Sequence, residues 1–197
     1  MRVITEKECF FQTTKGSRFL GYAMYASDEK QAKMILESLK REHPKANHYC
    51  FAWRFSDGRE RSCDDGEPKG SAGPPILKRL LSKDCVNTMI VVVRYFGGTK
   101  LGIGGLIRAY GGVAQALMEK ITHEEYRIWV QVGFSYAYED SRIVSHVLAH
   151  IEHKVVKQEY GALVQQAVLV MEGEENRLQQ ALFEESRGRI TSSLLVP

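Results

Sequence analysis

Apolar residues recur along the 197-residue chain at two spacings, and these place its elements. "GSRFLGYAMYA" (Gly16–Ala26) is aromatic-rich and predicts a strand. "SDEKQAKMILESLKREHP" then puts Ala32, Ile35, Leu36 and Leu39 on one helical stripe, with Ser27 as the expected N-cap and Pro44 ending the helix near His43. In "HYCFAWRF" Tyr49, Phe51, Trp53 and Phe55 alternate, the pattern of a half-buried strand. Ser56–Pro75 is turn-forming throughout and predicts a long loop. "ILKRLLSK" predicts a short helix, and "TMIVVVRYF" a strand apolar enough to be buried on both faces. The helix expected to run to about Lys120 carries one stripe of Leu106, Tyr110, Val113 and Leu117. A second stripe, Gly105, Ala109, Gly112 and Ala116, is small enough to let the helix lie close to a sheet.

The pattern restarts after "ITHEEY" (Ile121–Tyr126), the expected linker. "RIWVQVGFSY" predicts a strand and "DSRIVSHVLAHI" a helix capped by Asp140 or Ser141. "HKVVKQEY" and "ALVQQAVLVM" predict a hairpin around Gly161, "EENRLQQALFEESR" a helix and "GRITSSLLV" a last strand. That order, βαββαβ, is ferredoxin-like. The chain is therefore expected to be an α+β protein of two domains, residues 1–125 and 126–197.

Composition narrows the class. Hydrophobic content of 44% and charged content of 26% are ordinary for a globular chain. No apolar run approaches the roughly 20 residues that span a bilayer, and the start lacks a signal-peptide core, so no membrane association and a cytoplasmic location are expected. Cys9, Cys50, Cys63 and Cys85 are widely spaced with no CxxC pair, which fits reduced thiols and no metal. Residues 1–125 hold 20 Lys and Arg against 15 Asp and Glu, a charge of +5, while residues 126–197 carry −2. An anionic partner suits the first half.

Candidate chemistry gathers in "VVVRYFGGTKLGIGGLIRAYGG" (Val91–Gly112), which holds seven of the 17 glycines. It fits neither GxGxxG nor the Walker pattern. A glycine turn ahead of a helix still offers free amides at the positive end of the helix dipole. Arg94, Lys100 and Arg108 flank it, and Lys15, Arg18 and Arg54 extend a candidate basic surface for nucleic acid. Tyr95 and Phe96 are candidate base-stacking rings. "DDGEPKG" sets Asp64, Asp65 and Glu67 about a glycine, giving either a turn or, with Gly97 and Gly98, a ligand loop that holds Mg²⁺ beside a phosphate or acts as acid and base. His48 is a minor candidate base, and His146, His150 and His153 approach helical metal-site spacing without an HExxH glutamate. No catalytic triad and no cofactor motif is assembled.

Taken together, "KGSRF", "HYCFAWR", "DDGEPKGSAGPPIL" and the glycine segment resemble the IMPACT family, in its bacterial YigZ-type branch. Cys63 stands where that family leads one to expect Ser. The resemblance implies a first domain similar to the left-handed βαβ domain of ribosomal proteins and of the fourth domain of elongation factor G, and a second similar to that factor's fifth domain. It also implies RNA or the ribosome as partner and a role in regulating translation. Eukaryotic relatives act through protein contacts, so a protein-binding adaptor is the alternative. A Mg²⁺-dependent enzyme on a small phosphorylated substrate is a further one, although the family has no settled enzymatic activity.

Overall fold

The structure, a computed structural model, describes residues 1–195 and divides into two compact units, Met1–Tyr126 and the chain from Arg127 onward. Elements of the first unit follow in the order β1 (Arg2–Ile4), β2 (Glu8–Thr14), β3 (Ser17–Tyr25), α1 (Glu29–Glu42), β4 (His48–Arg54), β5 (Glu60–Cys63), α2 (Gly73–Ser82), β6 (Thr88–Tyr95), α3 (Gly102–Lys120) and β7 (His123–Glu125). Five of the strands form one antiparallel sheet in the order β2-β3-β6-β4-β5. β3 and β4 therefore run parallel on either side of β6, joined by α1.

β6 is central because every residue from Thr88 to Arg94 is buried, as its unbroken apolar run leads one to expect. Phe19, Ala23, Cys50, Ala52, Ile90 and Val92 face α2 and α3. Tyr22, Phe51, Trp53, Met89 and Val91 face α1. β4 is thus not the half-buried strand that its alternation suggests. Its residues alternate large with small, and Cys50 and Ala52 are buried as fully as Phe51 and Trp53.

The close approach of α3 also has a different source from the expected one. Gly105 and Gly112 of the helix meet nothing on the sheet but the Gln12 side chain. The small residue lies on the strand: a Cβ on Gly21 of β3 would run into Val113 Cγ1 and come within 2.8 Å of Leu117 Cδ1. Helix and strand pack because Gly21 leaves room for a branched residue.

Three more expectations are corrected. Asp28, not Ser27, caps α1, its Oδ1 accepting the Gln31 amide at 2.8 Å. The Ser56–Pro75 stretch is no continuous loop, since Glu60–Cys63 pairs with β4, and Pro74 and Pro75 begin α2, where missing amides cost nothing. The expected linker contains β7, which pairs with β1.

The second unit comprises β8 (Trp129–Tyr136), α4 (Ser141–Leu148), β9 (His153–Tyr160), β10 (Val164–Met171), α5 (Glu175–Glu185) and β11 (Ser192–Leu195). Its antiparallel sheet runs β11-β8-β10-β9, the fourth, first, third and second strands of a ferredoxin-like order. Val132, Phe134, Val168 and Val170 meet Val144, Val147, Leu178 and Leu182 in one core, so both helices cover the same face. Asp140 stands at the N-cap position of α4, but its side chain makes no capping bond among the described residues and instead forms two hydrogen bonds with Arg189, at 2.6 and 3.2 Å. The expected last strand ends here at Leu195, and its Val196 lies outside the described residues. Among the described residues no helix is long and apolar enough to cross a membrane.

Gly21→Ala is expected to lower stability by about 1–3 kcal/mol through overpacking against Val113 and Leu117. Urea unfolding followed by circular dichroism would measure it, and no change in midpoint would contradict the packing described.

Candidate functional site

Two tight turns meet at one end of the first sheet. Lys15 and Gly16 both have positive φ, 45° and 79°, as a two-residue turn between twisted antiparallel strands requires. The turn rests on Gly97, where any Cβ would fall on the Gly16 carbonyl and the Ser17 amide nitrogen. Only glycine allows that backbone contact. Gly98 and Gly102 also have positive φ, 83° and 69°, and meet nothing within 4 Å, so they shape the path into α3 rather than its packing.

Beneath the turns lies Arg94, only 4% exposed. Its Nη1 donates to Glu67 Oε1 at 2.6 Å and its Nη2 to Ser17 Oγ at 3.2 Å. Ser17 Oγ also accepts the Gly97 amide at 3.2 Å. The guanidinium lies 5.4 Å from the Phe19 ring centroid and 5.6 Å from that of Phe96. Its Nε is buried without a hydrogen-bond partner among the described residues. Tyr110 of α3 donates to the same Glu67 oxygen at 2.6 Å, and burial pushes its phenol far above the usual range, so it stays a donor. Arg94 is therefore not the exposed cation expected from the sequence but the centre of a buried network.

The acidic loop is a structural knot. Asp64 accepts the amides of Gly70, Ala72 and Gly73 at 2.8, 2.9 and 2.9 Å, which ties the loop to the start of α2. Burial pushes its carboxyl up, but the three amides together outweigh that and hold it below the usual carboxylate range. Asp65 accepts the Tyr49 amide at 2.6 Å, and its backbone, with Gly66, makes the turn at φ 43° and 86°. Asp64, Asp65 and Glu67 thus face separate protein partners.

A cleft of about 350 Å³ opens between this loop and the start of α3, lined by Glu67, Arg94, Phe96, Lys100, Gly102 and Ile103 among others. Among the described residues no side chain caps α3, whose exposed first turn, Gly102–Gly104, offers its amides at the positive end of the helix. Four of the six candidate cations are exposed at this end: Lys15 on the hairpin turn, Lys100 in the cleft, Arg108 beside Gly104, and Arg18, 4.8 Å from the Tyr95 ring centroid. Phe96 is 47% exposed, whereas Tyr95 is turned to His43 through its hydroxyl. Arg54 does not belong to the group. It lies six residues along β4 from His48, which pairs with Arg94, so about 20 Å away. There it is paired with Asp84 at 3.0 Å.

The histidines divide. His48 donates from Nδ1 to the Asp65 carbonyl at 2.8 Å, with Nε2 3.9 Å from Glu67, outside hydrogen-bond reach. His146 and His150 pack 4.8 Å apart, but His150 and His153 direct Nδ1 to backbone carbonyls. Among the described residues no three His, Cys, Asp or Glu side chains are grouped to hold a metal ion. The sequence reading missed Ser17, and it missed His123, which lies 3.5 Å from Cys85. His123 donates from Nε2 to the Met118 carbonyl, leaving Nδ1 to accept from the thiol. Burial pushes that thiol up to about 11, so the pair is structural.

Residues 15–118 match the Impact N-terminal domain family. The IMPACT family member YigZ of Escherichia coli is 31% identical over 89% of this chain and 88% of its own. An IMPACT family member of Haemophilus influenzae is 33% identical over 94% of this chain and 92% of its own. The crystal structure of a hypothetical protein superposes with a TM-score of 0.71 at 28% identity, covering 100% of this chain and 97% of that one.

Arg94→Met strands a buried carboxylate and is expected to cost about 3–5 kcal/mol, while Arg94→Met with Glu67→Met recovers much of the loss. A double-mutant cycle in urea measures this, and additive losses would refute the coupling. Asp64→Ala is expected to cost about 2 kcal/mol at neutral pH. Because the folded Asp64 pKa is depressed, that gap is complete above about pH 4 and closes as pH falls further.

Proposed function

The chain belongs to the IMPACT family, and on that footing we propose that it binds RNA or the ribosome through the α3 end of its first unit and so regulates translation. The observation that carries the reading is the clustering of Lys15, Arg18, Lys100 and Arg108 around an uncapped helix N-terminus and the exposed Phe96 ring. Cations and helix amides suit phosphates, and an exposed aromatic ring suits an unpaired base. The buried Arg94 acts here by position: it fixes Phe96, Ser17 and the glycine turn rather than meeting solvent. The family's likeness to ribosome-contacting domains of a translation factor supports the same partner. The Mg²⁺-enzyme alternative gains no support, because its three carboxylates are engaged elsewhere.

Binding to purified ribosomes and to a short structured RNA is the test. About four phosphate contacts predict a log–log salt slope near −3. Replacing Lys15, Arg18, Lys100 and Arg108 together by alanine is expected to flatten the slope and weaken binding at least tenfold without loss of fold. Binding indifferent to both salt and the four alanines would refute the proposal, as would no binding at low salt.

A further inference from the structure

The two faces of the five-stranded sheet are covered unequally. α2 and α3 pack on one face, and α1 alone on the other. Five strands at about 4.8 Å spacing span roughly 20 Å, twice the width of one helix. α1 therefore leaves both flanks of its face open. On the β2 flank Phe11 stands 57% exposed. On the β4–β5 flank a pocket of about 560 Å³ remains between helix and sheet.

This pocket is built differently from the α3 cleft. Phe51, Trp53 and Met89, only 9, 5 and 1% exposed, form its floor on the sheet side and Leu36 lines it from α1, so the lining between its charged groups is apolar. Trp53 is held in place by stacking on Phe55, with ring centroids 4.1 Å apart and planes 11° from parallel. The mouth is charged. Lys30 and Lys33 of α1 and Arg61 of β5 stand near Glu29, with Lys33 also 4.0 Å from Glu37. Lys40, about 15 Å along α1 from Lys30, and Asp65 line the rest of the rim. Both lining acids are engaged by other groups: Glu29 by Arg59 at 3.1 Å, Asp65 by the Tyr49 amide at 2.6 Å. Lys30 and Arg61 form no ion pair among the described residues. Cys63, a half-buried free thiol, lies on the wall.

We propose that the pocket binds a small amphipathic carboxylate, its apolar body seated on Phe51 and Trp53 and its charge held at the Lys30–Arg61 mouth. The volume lies in the range of small-molecule sites, and the pairing of an apolar lining with a few charged groups at the rim matches how such sites orient a ligand. A cationic amphiphile meets repulsion at the mouth. A nucleotide finds too few polar partners inside. The site lies on the α1 face of the sheet and does not depend on the RNA reading, so either can fail alone.

Decanoate and decyltrimethylammonium, equal in chain and opposite in charge, are the probes. The 197-residue chain carries Trp129→Phe, which leaves Trp53 as the single tryptophan reporter. At low salt decanoate is expected to change Trp53 emission saturably at one per chain, and the cation to bind at least tenfold more weakly. Lys30→Glu with Arg61→Glu is expected to weaken decanoate about tenfold and to erase the preference between head groups. Cys63→Phe fills the pocket and abolishes binding with the circular dichroism spectrum unchanged. If that variant does not fold, the charge-reversal pair decides alone. Equal affinity for the two probes overturns the proposal, and so does undiminished binding in a folded Cys63→Phe protein. No decanoate binding at millimolar concentration overturns it as well.

Discussion

Taking two unlike charges out of water costs several kcal/mol per ion, and their attraction recovers it only with good geometry and with the remaining lone pairs satisfied. Arg94 and Glu67 meet under that demand. Arg94 stands on the central strand, Glu67 on a loop with no regular structure, and the pair fixes one to the other. The satisfaction of each ion then recruits the rest. Tyr110 brings α3 to Glu67, Ser17 brings the β2–β3 turn to Arg94, and Ser17 in turn receives Gly97. One charge pair thereby registers loop, sheet, hairpin and helix start.

The exposed site inherits its shape from that buried network. Lys15 and Lys100 are flexible side chains on backbone that is not free to shift, because Gly16 and Gly97 touch without intervening atoms. A rigid frame with flexible cations would suit the proposed polyanion, whose phosphates vary in position, with fixed amides and adaptable side chains. The acidic loop serves the same end. Its three amide bonds to Asp64 position the segment that walls the cleft and start α2 without a conventional cap.

Much of the architecture was legible because it follows local patterning. The apolar run of β6, the helical stripe of α1 and the βαββαβ order of the second unit all appear as predicted. What the pattern could not supply was pairing between distant residues. β5 is four residues of polar sequence, and only its bonds to β4 make it a strand. β7 looks like a linker until β1 is placed beside it. Arg94 was legible as chemistry but not as burial, because a single Arg at the end of an apolar strand reads equally as its exposed terminus. Ser17 gave no signal at all, being one hydroxyl in a turn. The small-residue stripe of α3 misled for a related reason: a glycine records that something is close without saying on which element.

The pairing of β1 with β7 bears on how the first unit comes into being. Arg2–Ile4 leaves the ribosome about 120 residues ahead of its partner strand. At ordinary elongation rates that separation is on the order of ten seconds. During that interval Ile4, which is 2% exposed in the finished unit, lacks its strand partner, and the backbone bonds of Arg2 are to Asp84 and Val86, themselves about 80 residues downstream. The long loop adds little to the closure entropy, which grows only logarithmically with length. Time, rather than free energy, separates Ile4 from its place, and the core is completed by a segment made long before its partner.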